Sequence, residues 1–256
     1  MRPKVERIAE SLSAILAAWS SVECVSLCEQ AEGDVLDPYF ALVLDVYHRG
    51  AIPGADERRQ AFGDPGAFEC AQAQPKDRFF LEGLPVRIEY KSVESFEEFL
   101  DREAELLWIL KNSGTYMFYR IQKARILFKR SDWIDGVIKR LAELPAAFWD
   151  DLRESFQLKM EHNLADLAAG AYQDDGFFYL ISAAGFVRYA AAVIFMINRR
   201  FEPSHRLIEQ HLRELPVLPP DFFGRWETFL RSDIEMSREQ KYKVAELIAK
   251  SIVALS

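Results

Sequence analysis

Two carboxylates stand in stretches that are otherwise apolar strands. In Leu42-Val43-Leu44-Asp45-Val46-Tyr47 the side chains alternate between faces at the two-residue period of an extended chain. Leu42, Leu44 and Val46 share one face and pack a core, while Val43, Asp45 and Tyr47 share the other. An unpaired buried carboxylate costs several kcal/mol, so Asp45 must lie at a cleft, meet a cation or hold a metal. Val86-Arg87-Ile88-Glu89-Tyr90 repeats the theme with Glu89. If the two strands are neighbours, Asp45 and Glu89 converge on one Mg²⁺, an ion that takes one or two carboxylates and fills its octahedron with water and phosphate oxygens. The alternative is a set of ion pairs, each acid meeting a basic residue such as Arg87, Lys91 or Arg78. Spacing alone allows both.

Other reactive types carry weaker signals. Lys76-Asp77-Arg78 precedes a strand and reads as a solvated turn, with phosphate contact as the sharper alternative. Lys123, Arg125, Lys129 and Arg130 form the densest basic cluster. The histidines (His48, His162, His205 and His211) have no metal-ligand spacing. Cys24, Cys28 and Cys70 form no Cys-x-x-Cys pair, so neither a zinc knuckle nor a disulfide framework is indicated.

The elements that must hold these residues follow from periodicity. Val5, Ile8, Ala9, Leu12, Ile15, Leu16 and Trp19 lie on one stripe of an N-terminal helix. Val22–Leu27 and 41–47 are strands, a short helix over 56–62 interrupts a Gly/Pro-rich stretch, and 78–81 with 86–90 form a hairpin around Glu82-Gly83. From Val93 the period is helical, apart from a short strand at 126–128. Ser131-Asp132 caps a helix stopped by Pro145, and Ser237-x-x-Gln240 is a capping box. The expected fold is α+β: a small mixed-sheet domain over 1–92 followed by an all-helical bundle over 93–256.

Composition bounds the partners. The chain has 256 residues, 50% hydrophobic and 28% charged, too apolar for a disordered protein. A net charge of −8 argues against duplex nucleic acid or an anionic membrane as partner, and leaves room for a small anion at a local site. The segment 177–198 is long and apolar enough to span a bilayer. Arg188 near its middle instead predicts a buried bundle helix in which that arginine meets a carboxylate. No membrane partner and a cytoplasmic location are therefore expected.

The order of helix, strand, turn, acid-bearing strand and later acid-bearing strand resembles the polymerase-beta-type nucleotidyltransferase superfamily. The likeness is to bacterial members in which a small nucleotidyltransferase domain precedes a helical one, as in aminoglycoside nucleotidyltransferases. It rests on Ser26-Leu27-Cys28-Glu29, Asp37-Pro38-Tyr39-Phe40, Leu44-Asp45-Val46-Tyr47 and Val86-Arg87-Ile88-Glu89-Tyr90, with 125–130 and 198–203 as connecting segments. The resemblance implies a nucleoside triphosphate bound with Mg²⁺, and transfer of a nucleotidyl group to a hydroxyl of a small molecule or protein. Asp45 and Glu89 become metal ligands or base, Ser26, Cys28 and Glu29 the triphosphate turn, and Lys123 a phosphate contact. The sequence departs from the pattern in two places. Cys28-Glu29 stands where a glycine turn is expected, and the acid-x-acid partner of Asp45 is Val43 or Tyr47, neither an acid. Asp37 is the candidate substitute metal ligand. The second reading is a catalytically inactive member of the fold, acting as a binding or regulatory module.

Overall fold

The computed structural model describes residues 3–29, 40–71, 75–231 and 235–255. The chain divides into two compact units, Met1–Leu106 with Arg120–Glu143, and Leu107–Tyr119 with Leu144–Ser256. The boundary at 92/93 expected from the onset of helical periodicity is not where these units part. The reason is that the chain returns to the first unit after its helical excursion and adds a strand to the sheet there.

The first unit is built on six strands: β1 (Val22–Leu27), β2 (Leu42–His48), β3 (Glu69–Ala71), β4 (Lys76–Leu81), β5 (Leu84–Ser92) and β6 (Arg125–Lys129). They lie in the order β3-β4-β5-β2-β1-β6. Only β2 and β5 run parallel; the other pairs are antiparallel. The sheet is therefore mixed, with the two acid-bearing strands side by side at its centre.

Each face of β2 has its own cover. Helix α1 (Pro3–Ala17) lays Val5, Ile8, Leu12 and Leu16 over Leu42, Leu44 and Val46 in one continuous core. Removing side chains of this size from water stabilises by about 1.5–3 kcal/mol each. On the opposite face the Tyr47 ring meets Phe96 at 6.4 Å and Trp133 at 5.3 Å, from α3 (Val93–Asp101) and α6 (Trp133–Ala142). All seven residues of β2 are buried, so Asp45 is enclosed by the architecture itself.

Local signals account for most element ends. Glu82 and Gly83, both at positive φ (49° and 78°), close the β4–β5 hairpin with the turn whose twist matches paired strands. Ser92 caps α3 by accepting from the Ser95 amide at 3.1 Å. Asp132 makes no side-chain cap to α6; it meets Lys129 at 3.1 Å, and the Ser131 hydroxyl accepts from the Trp133 amide instead. Lys76-Asp77-Arg78 is not a solvated turn. It lies within β4, which begins two residues earlier than alternation suggested because Asp77 is wholly buried. Helix α2 (Ala55–Ala61) precedes β3 and supplies Arg58 to that acid.

The second unit is helical. It includes the latter part of α4 (Glu103–Ser113) and the start of α5 (Tyr116–Lys123). The rest is α7 (Ala146–Tyr172), α8 (Gly176–Ile197), α9 (Ile208–Leu212), α10 (Phe222–Leu230) and α11 (Arg238–Val253). Helix α8 is long and apolar enough to cross a membrane by length and composition, and half of its most apolar window is buried within the protein. It packs closely along α7, where Gly170 brings the backbones together: a Cβ there would stand 2.7 Å from the Tyr179 amide nitrogen. The Ser237–Gln240 capping box starts α11 as expected.

Candidate functional site

The sheet sets four of the relevant side chains in one row. Ser26 of β1 lies opposite Asp45 of β2, Asp45 opposite Glu89 of β5, and Glu89 opposite Lys76 of β4. Directly opposed residues project to the same face, so this row crosses the sheet as hydroxyl, carboxylate, carboxylate, ammonium. Lys91, two residues beyond Glu89, shares that face. The sequence-level idea that Asp45 and Glu89 become neighbours is thus realised by the parallel register of β2 and β5.

What they converge on is an internal cation. Arg120, on α5, donates through Nη1 to Glu89 at 2.8 Å and through Nη2 to Asp45. Lys91 Nζ stands 2.8 Å from the other Asp45 oxygen, and Lys76 Nζ 2.9 Å from the other Glu89 oxygen. The Cys28 thiol adds a contact of 3.5 Å to Asp45. Every carboxylate oxygen of the pair therefore has a cationic partner. Asp45 is 0% exposed and Glu89 only 16%. Three cations face two carboxylates, leaving the cluster one positive charge in excess.

The electrostatics follow from this arrangement. Burial pushes the Glu89 carboxyl up, but Arg120, then Lys76 and Lys91, pull it down further, to about 2. The Cys28 thiol goes the other way: burial and the charge of Asp45 push it up to about 12, against a smaller opposing pull from Arg120 and Lys91. A thiol held there is protonated at neutral pH and is no nucleophile.

Of the remaining predicted site residues, some join this row and others do not. Ser26 and Cys28 are buried beside Asp45. Glu29 follows them at the end of β1, partly exposed. Lys123 is exposed on α5, one turn beyond Arg120. Asp37 lies outside the described residues. Arg120, Lys76 and Cys28 Sγ are the participants whose roles the sequence did not reveal; Lys91 was among the basic partners expected. The available signal for Arg120 was a lone cation following the aromatic run Tyr116-Met117-Phe118-Tyr119, on a helix whose Phe118, Tyr119 and Ile121 are buried.

The donor set does not suit Mg²⁺. The ion needs carboxylate oxygens free to coordinate, and here all four are engaged by guanidinium or ammonium groups. Among the described residues no group of three or more His, Cys, Asp or Glu side chains is placed to hold a metal.

A mixed sheet with two central acid-bearing strands, in a chain that continues into a helical unit, makes this an α+β protein. Its fold is similar to that of a nucleotidyltransferase-like protein from Exiguobacterium sibiricum 255-15, over 96% of this chain and 74% of that one, with a TM-score of 0.51 at 13% identity. A CCA-adding enzyme in complex with ATP aligns more loosely, over 99% of this chain and 83% of that one, with a TM-score of 0.32 at 11% identity, too low to carry an argument. No protein-family model and no curated protein matches the sequence.

Proposed function

We propose that this chain is a non-catalytic member of the nucleotidyltransferase fold that acts as a binding or regulatory module. The observation that supports this is the bridge from Arg120 to both Asp45 and Glu89. In metal-dependent nucleotidyl transfer the carboxylates offer their oxygens to divalent ions, which draw together the triphosphate and the attacking hydroxyl. Here a guanidinium and two ammonium groups occupy those oxygens from within the chain. Replacing them by Mg²⁺ requires unpairing three cations, all of them largely buried, a loss comparable to breaking buried ion pairs. The missing acid-x-acid partner and the Cys28-Glu29 turn point the same way.

The surplus positive charge leaves one role for an anion. Lys76 and Lys91 are 23% and 27% exposed, enough to contact a phosphate from the solvent side. On this reading a nucleoside triphosphate is held by ammonium groups without a divalent ion, and no nucleotidyl group passes to an acceptor.

Titration calorimetry with ATP, GTP, CTP and UTP, with Mg²⁺ and with chelator, tests this alongside a pyrophosphate-release assay. The expected results are binding that persists with chelator and is not strengthened by Mg²⁺, a melting temperature of the free protein unmoved by Mg²⁺, and no pyrophosphate. Mg²⁺-dependent pyrophosphate release that Asp45→Asn abolishes would overturn the reading.

A further inference from the structure

Arg188 sits midway along the apolar helix α8 with no carboxylate in ion-pair contact among the described residues. It makes no hydrogen bond and no ion pair with any described residue; its one close companion is the ring of Tyr189, 5.4 Å from the guanidinium carbon. Glu202 is near enough to feel its charge, but that buried carboxylate is held by the amide and hydroxyl of Thr115 at 3.2 and 3.3 Å. Lys159 of α7 feels Arg188 as a like charge. A half-buried guanidinium with no anion in contact among the described residues, and with a cationic neighbour, is poised for an anion from solution.

The space beside it says what that anion carries. Arg188 lines a cavity of about 460 Å³, open to solvent, whose walls are mainly Val187 and Ala191 of α8, Ile208 of α9, and Trp226 and Leu230 of α10. That volume is in the range of small-molecule sites, which pair apolar walls with a few polar groups. Trp226 brings a buried indole N–H that has no acceptor among the described residues. Glu209, at the same cavity, is engaged by Arg213 at 2.9 Å. The lining sets this acid against two basic side chains, Arg188 and His205, a balance that suits a single negative charge better than a phosphate dianion. A carboxylate presents two oxygens to a guanidinium in plane and carries a single charge.

We propose that this cavity of the helical unit binds a small amphipathic monocarboxylate, its carboxylate on Arg188 and its hydrocarbon or aromatic body against Ile208, Trp226 and Leu230. The site is separate from the Asp45–Glu89 row and does not depend on the nucleotidyltransferase reading.

The test uses the full chain and matched probes: octanoate against octanol, 4-phenylbutyrate against 4-phenylbutanol, and octyl phosphate, each by titration calorimetry. We expect both carboxylates to bind, and each alcohol to bind at least about tenfold more weakly, the loss of one charge-assisted contact. Arg188→Met should erase the difference between acid and alcohol, and Ala191→Phe, which fills the cavity, should abolish both. Equal affinity of acid and alcohol for the wild-type protein overturns the proposal, as does failure of every carboxylate to bind at millimolar concentration. Tighter binding of octyl phosphate than octanoate overturns the carboxylate assignment. The acid–alcohol comparison needs no variant, so it decides the matter even where Arg188→Met disturbs folding.

Discussion

Asp45 and Glu89 face each other across adjacent parallel strands, and a single guanidinium, that of Arg120, spans both. Two carboxylates at that register repel unless a cation lies between them, because buried like charges are weakly screened. Arg120→Met removes the bridge and leaves Asp45 wholly buried with Lys91 as its one remaining cation. We expect a loss of about 3–5 kcal/mol in denaturant unfolding, the usual cost of orphaning a buried charge. Adding Asp45→Asn to that variant should restore part of the loss, so that the double-mutant cycle gives a coupling of about 1–3 kcal/mol. Additive effects of the two substitutions would mean that the bridge contributes nothing.

Glu89 makes stability depend on acid. Its carboxyl is held near 2 against an ordinary value of 4.5, so the unfolded chain takes up that proton first as pH falls. The stabilisation from Glu89 is complete above about pH 4.5 and is lost between there and about pH 2. Melting temperatures measured from pH 5.5 down to 2.5 should fall more steeply for the wild-type protein than for Glu89→Gln. Parallel curves would show that Arg120 and Lys76 do not hold the ionised form.

How much of this was readable beforehand depended on the range of the interaction. Asp45 and Glu89 stood out because alternation placed an acid inside an apolar strand, a purely local signal. Lys91 was recognisable as a partner because it follows Glu89 by two residues on the same face. Lys76 was obscured: with Asp77 beside it, the start of β4 reads as a polar turn until Arg58 is known to neutralise that aspartate. Arg120 is 75 residues from Asp45, and nothing in the period of α5 distinguishes it from Lys123, which stays exposed. The same loss of range explains the domain boundary. Helical periodicity beginning at Val93 conceals the return of β6, which pairs with β1 across about a hundred residues.

Another wholly buried acid gives an independent test. Asp77 is wholly buried and receives Arg58 through two nitrogens at 2.8 and 2.9 Å, with the Tyr90 hydroxyl donating at 2.8 Å. Asp77→Ala leaves Arg58 without its counter-charge inside the fold and should cost about 3–5 kcal/mol. Tyr90→Phe removes one hydrogen bond to a charged acceptor and should cost about 1.5–3 kcal/mol. Urea unfolding ranks the two; a larger loss for Tyr90→Phe would contradict the assignment of the ion pair as the centre of this network.

The thiols report on the same core. Cys24 and Cys28 are buried, with burial the largest cause pushing each up to about 12, whereas Cys70 is partly exposed. At pH 8 a disulfide reagent such as Ellman's should modify at most one thiol of the native protein quickly, and the other two only at the rate of opening. Because Arg120 lies 3.3 Å from the Cys28 sulfur, Arg120→Met should make a second thiol reactive by loosening this corner. Rapid labelling of all three in the wild-type protein would be inconsistent with the packing around Asp45.

In the helical unit the decisive contact is between backbones. A methyl group at Gly170 would stand 2.7 Å from the Tyr179 amide nitrogen and 2.8 Å from its Cα, atoms that cannot turn aside as a side-chain tip can. At Gly185 the clash is with the side chain of Asn163, which can swing away at the expense of its 2.7 Å hydrogen bond to the Lys159 carbonyl. Gly→Ala at an exposed helix position ordinarily gains stability, by up to about 1 kcal/mol. Gly170→Ala should instead lose about 1–3 kcal/mol, since α7 and α8 must separate to admit the methyl group. Gly185→Ala should lose less. Thermal unfolding monitored by far-UV circular dichroism distinguishes the two, and a stabilised Gly170→Ala variant would mean that these helices do not meet as closely as Gly170 and Tyr179 indicate.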